Sequence, residues 1–89
     1  MLIPFPTFES NLTPLIDSAH ELHVGERTAA LKTLRTVHRR LRRVRGSIRH
    51  SALAEYVDQA LQACEHGECE FALATLMNAL SCFVPEQAA

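Results

Sequence analysis

From Ala30 onward, apolar residues recur at alternating steps of four and three: Ala30, Leu34, Val37, Leu41, Val44 and Ile48. That two-per-seven stripe is the seam of a helix packed lengthwise against others. At about 100° per residue, Lys32, Arg35, Arg39, Arg42 and Arg43 fall on its far side. Gly46-Ser47 marks an end or a bend. Upstream, Thr13-Pro14 reads as a helix start, because Thr caps exposed amides and Pro is tolerated in the first turn. Leu15, Ile16, Ala19, Leu22 and His23 then form one apolar side, until Gly25 stops the helix. Glu26 falls at the positive end of the helix that follows. A third helix is expected from Ser51 to Glu65, with Leu53, Tyr56, Val57, Ala60, Leu61 and Cys64 inward. Glu55, Asp58, Gln59 and Gln62 face outward. After a tight turn at His66-Gly67, a fourth helix from Glu68 to Phe83 is apolar nearly all round, with only Thr75, Asn78 and Ser81 polar beyond Glu70. A helix of that kind is central in a fold or covered by another molecule.

The chain also repeats itself. A shift of forty-two residues lays Leu15–Leu41 over Val57–Phe83 and superposes Gly25-Glu26 on Gly67-Glu68, Ala30-Leu31 on Ala72-Leu73 and Thr33-Leu34 on Thr75-Leu76. Each copy reads as a helix–turn–helix unit that buries its apolar face only when stacked on a neighbour. The expected fold is therefore all-α: a single domain over residues 1–89, a four-helix bundle built from two hairpins, packed compactly or as a short right-handed stack. The hairpins span residues 13–45 and 51–84. An extended apolar arm over residues 1–12 precedes them, with Leu2, Ile3, Phe5 and Phe8 lying across apolar surface.

The segment Gly67-Glu-Cys-Glu-Phe-Ala-Leu-Ala-Thr-Leu-Met-Asn-Ala-Leu80 resembles the second helix of a tetratricopeptide repeat. Gly67, Ala72, Ala79 and Pro85 stand at or within one residue of that family's turn glycine, small residues and closing proline, and Tyr56 matches the early aromatic of the preceding helix. In the first copy Gly25, Ala30 and Leu31 match. The resemblance implies helical hairpins that bind proteins or peptides as scaffolds rather than catalysts.

Charge sharpens the picture. The net charge of −1 conceals a clean segregation, because all 9 basic residues lie between Arg27 and Arg49 and all 10 acidic residues lie outside that window. Such sorting requires internal pairing or an acidic partner. The arginines, flanked by His38 and His50, have the register to neutralise phosphates. Yet no aromatic interleaves them, so there is no stacking platform for single strands.

Other chemistry is sparse. Cys64-Glu-His66-Gly-Glu-Cys69 sets two thiols and an imidazole around one turn, like part of a zinc site. Cys82 lies thirteen residues along a helix from Cys69, some ~20 Å away at 1.5 Å per residue, and cannot close the shell. His20 and His23 are three apart on the first helix but have no further ligand. No metal or cofactor is expected. There is no phosphate-cradling Gly loop, no nucleophile elbow and no carboxylate pair on a shared apolar face, so neither catalysis nor a small-molecule substrate is expected. With 3 cysteines, an odd number, the chain suits a reducing cytoplasm rather than a disulfide framework. Its apolar start is broken by two prolines and lacks a positive residue, and its longest uncharged run is too short to cross a bilayer.

The sequence thus points to a small non-catalytic cytoplasmic adaptor or regulator that binds another protein. The basic face of Lys32, Arg35, Arg39, Arg42 and Arg43 is the electrostatic handle. A domain of 89 residues has a thin core, so a homodimer is expected, with Phe71, Leu73, Leu76, Met77, Leu80 and Phe83 forming the core or the dimer contact. The alternative is an RNA- or DNA-binding regulator using the same arginines.

Overall fold

The computed structural model describes residues 8–43 and 48–83, which form four helices: α1 Phe8–His23, α2 Arg27–Arg43, α3 Ile48–Glu65 and α4 Cys69–Phe83. Each helix packs on the next, and α1 closes the ring against α4. The result is an up-down-up-down bundle, the compact form of the expected two-hairpin architecture.

The two elbows are the same device used twice. Gly25 and Gly67 hold φ at +84° and +81°, in the left-handed region where a side chain is strained. Around the first, the Gly25 amide donates to the Leu22 carbonyl at 3.2 Å and the Glu26 amide to the Glu21 carbonyl at 2.7 Å. Around the second, Gly67 donates to Cys64 at 3.1 Å and Glu68 to Ala63 at 2.8 Å, the same bonds moved forty-two positions. This is the Schellman arrangement, which satisfies the last carbonyls of one helix. The carbonyls of Glu26 and Glu68 then accept from Ala30 and Ala72, so the residue that finishes one helix starts the next.

Residues from every helix meet in one core. Leu15, Leu34, Val37, Leu53, Val57, Ala60 and Leu76 are fully buried, with Leu12, Leu22 and Leu41 nearly so. On α2 the buried set is Ala30, Leu34, Val37 and Leu41, the expected stripe.

Several local expectations are corrected. α1 starts at Phe8, five residues before Thr13, and Pro14 lies inside it. Pro removes one helical hydrogen bond, but the extra turn buries Asn11 and Leu12, while the Ser18 hydroxyl donates to the Pro14 carbonyl at 3.0 Å. With the buried side of α1 running through Leu12, Leu15, Ala19 and Leu22, Ile16 turns outward at 50% exposure and His23 is exposed too. The apolar arm therefore does not extend to residue 12, and residues 1–7 lie outside the described residues. Ile48 begins α3 instead of continuing the α2 stripe, and is 89% exposed. Val44 and Gly46-Ser47 lie outside the described residues.

The structure also selects the inward side of α4, which the sequence leaves open. Its buried residues are Ala72, Thr75, Leu76 and Ala79, whereas Phe71 and Met77 point outward. Thr75 is accommodated because its hydroxyl donates to the Phe71 carbonyl at 2.9 Å. Small side chains at three of these positions let α4 approach its neighbours closely.

Candidate interaction surface

The outer side of α2 is where the charge gathers. Seven cationic residues occupy this helix, Arg27, Lys32, Arg35, Arg39, Arg40, Arg42 and Arg43, with no carboxylate among them. Because the buried stripe fixes the rotation of α2, Lys32, Arg39 and Arg43 point directly away from the core. Arg40, Arg42 and Arg43 stand in the last turn, where the negative end of the helix dipole offsets part of their mutual repulsion.

The flank of α2 that faces α3 is partly neutralised. Arg35 Nη2 lies 3.3 Å from Glu65 Oε2, and both side chains are about half exposed. His38 Nε2 lies 3.4 Å from Asp58 Oδ1. Arg27, at the start of α2, donates Nε to the Cys64 carbonyl at 2.8 Å and Nη2 to the Glu65 carbonyl at 3.0 Å. Its cation thereby caps the carboxyl end of α3, where the dipole is negative. On the α1 side, Thr33 Oγ1 donates to Glu21 Oε1 at 3.3 Å and to the Ala29 carbonyl at 3.1 Å.

The outer cations differ from these. Lys32, Arg39, Arg40, Arg42 and Arg43 are exposed and pair with none of the described carboxylates. Of the five basic-face residues expected from the sequence, all are exposed and only Arg35 is engaged internally. Arg40 was not among them, although helical spacing places it one turn from Thr36 and Arg43. Two shallow grooves adjoin these residues. One of about 240 Å³ is lined by Pro14, Lys32, Thr33, Thr36, Val37 and Arg40. The other, of about 210 Å³, is lined by Thr36, Arg39, Arg40 and Arg43. The first combines apolar lining from Pro14 and Val37 with the cationic side chains of Lys32 and Arg40, beside the place where Pro14 interrupts the bonding of α1.

The expected α4 surface divides. Leu76 is core, and Leu73, Leu80 and Phe83 pack against the core from its edge. Tyr56 meets Phe83 edge to face, with ring centroids 6.2 Å apart. Only Phe71 and Met77, 58% and 56% exposed, present apolar surface outward, beside the uncharged Ala74, Asn78 and Ser81.

At the second elbow the His66 imidazole is held by its own helix and does not join the two thiols. His66 Nδ1–H donates to the Gln62 carbonyl at 2.8 Å. No group of three or more His, Cys, Asp or Glu among the described residues is placed to hold a metal ion. Nor is any described helix long and apolar enough to cross a membrane. No family model, curated protein or solved structure matches the chain.

Proposed function

We propose that this bundle is a non-catalytic binding domain that captures an acidic segment of a protein partner on the outer face of α2. The observation that carries the reading is the row Lys32, Arg39, Arg40 and Arg43, exposed and without a counter-charge among the described residues. Like charges three and four apart on one helix repel by a few tenths of a kcal/mol per pair. The isolated chain bears that cost, and an acidic ligand relieves it. Contacts of this kind raise encounter rate and selectivity more than affinity. The grooves beside Thr36 set a little apolar surface between the cations, a combination suited to carboxylate side chains projecting from a peptide.

As part of the same reading, two copies associate through α4, where Phe71 and Met77 stand on a strip free of charge from Phe71 to Phe83. A charge-free, mixed strip is compatible with meeting its own copy, since no like charges are brought together.

Titration with poly-glutamate at low and moderate salt tests the handle, with duplex DNA and single-stranded RNA in parallel. Poly-glutamate binding that weakens with salt and is lost in Arg39→Glu with Arg43→Glu supports the proposal. Stronger binding to nucleic acid, with a steep salt slope removed by the same variant, replaces it with the nucleic-acid reading. No binding to any of the three at low salt refutes the handle altogether.

A further inference from the structure

Two cysteines flank the second elbow, and both belong to the core side of the bundle. Cys64 is the third residue before Gly67 and its side chain is fully buried, while Cys69 opens α4 and packs partly buried against the same core. The Gly67 amide donates to the Cys64 carbonyl at 3.1 Å, so the tightest part of the turn draws the two positions together. The first elbow does the same structural work with Leu22 and Arg27 at the equivalent places, so this turn does not require sulfur at either. Arg27 reaches across to the second elbow and fixes the Cys64 carbonyl. Burial and the Cys69 thiol push the Cys64 thiol above its ordinary pKa, partly offset by the Arg27 cation. Cys82 stands at the far end of α4 beside the Tyr56 hydroxyl, 3.9 Å away, and takes no part.

We infer that Cys64 and Cys69 form a modification site, a dithiol that a small-molecule disulfide oxidises to an internal bond across the α3–α4 elbow. Cys69, the more accessible, attacks one sulfur of the oxidant as its thiolate. A mixed disulfide forms and one thiol leaves. The Cys64 thiolate then attacks Cys69 Sγ, expelling the second thiol. Two electrons and two protons pass from the protein to the oxidant, which ends as two thiols. The buried position of Cys64 makes it inert towards the oxidant itself and reserves it for this second step.

Oxidised glutathione acting on the full chain carrying Cys82→Ser tests the site. The expected product has lost the mass of two hydrogens and carries no glutathione. Cleavage after glutamate separates the segment ending at Glu65 from Cys69-Glu70, and the two must remain joined until a reductant is added. In Cys69→Ser, Cys64 takes up no glutathione while the protein is folded. Glutathione persisting on Cys69 beside a free Cys64, or closure only in denaturant, overturns the inference.

Discussion

The Arg27 guanidinium donates to the Cys64 carbonyl at 2.8 Å, tying the first elbow to the last turn of α3 thirty-seven residues away. The same side chain reaches the Glu65 carbonyl. One cation thus satisfies two carbonyls at the negative end of a helix and links the two halves of the repeat. Arg27→Ala is expected to cost about 1–2 kcal/mol, since bonds from a charged donor exceed neutral ones but this donor is exposed. For a domain of this size that lowers Tm by roughly 5–10 °C. Arg27→Lys recovers only part, because an ammonium does not reproduce the planar fork. Thermal unfolding of the three proteins checks this, and equal Tm values would remove Arg27 from the set of tertiary ties.

Gly25→Ala and Gly67→Ala should each cost about 1 kcal/mol, because a Cβ is disfavoured in the left-handed region. Nothing lies within 4 Å of where a Cβ would stand at either position, so the penalty is conformational and not a clash. Asn, which tolerates that region, should cost less than Ala at both sites. Denaturant melts decide it, with equal losses for Ala and Asn arguing against the conformational origin.

How much of this was visible in the residues depended on whether polar side chains marked the outside of a helix. α2 was legible because every second or third residue outside the stripe is charged, leaving one rotation open. The elbows were legible because glycine is the residue a Schellman end requires. The start of α1 is not legible, since Thr13-Pro14 looks the same at a helix start as inside a helix whose earlier turn buries Leu12. α4 could not be oriented from sequence. Its apolar residues surround it, so the choice between burying Phe71 and burying Thr75 fell to the fit against α1 and α3. The small set Ala72, Thr75 and Ala79 won that choice. Ile48 continued the α2 stripe by coincidence of spacing. Arg40 sits beside the expected basic face, towards α1, and gains meaning only from the groove that α1 forms.

Rotation of α4 makes two of its large residues respond oppositely. Leu76→Ala should destabilise the chain by about 2–5 kcal/mol, as a fully buried leucine leaves a cavity. Phe71→Ser should change monomer stability little, because the ring is 58% exposed. It should instead weaken self-association, measured by light scattering across a concentration series. A wild-type monomer at high micromolar concentration contradicts the α4 dimer without touching the fold.

Stability should fall in alkali through Cys64. Its thiol ionises at higher pH in the folded chain than unfolded, because burial disfavours the thiolate. In that range the folded state holds more protons, so the free energy of unfolding decreases as pH rises. The loss begins near the ordinary thiol pKa of about 8.5 and ends above the raised folded value. Urea melts from neutral to alkaline pH under reducing conditions check the slope, which Cys64→Ala should flatten relative to the parent.

Amide chemical-shift mapping of the labelled protein during titration with poly-glutamate tests the binding surface most directly. The account predicts shifts concentrated between Lys32 and Arg43, fading with added salt and absent in Arg39→Glu with Arg43→Glu. Shifts centred on α4, or a spectrum unchanged at saturating poly-glutamate and low salt, would contradict it.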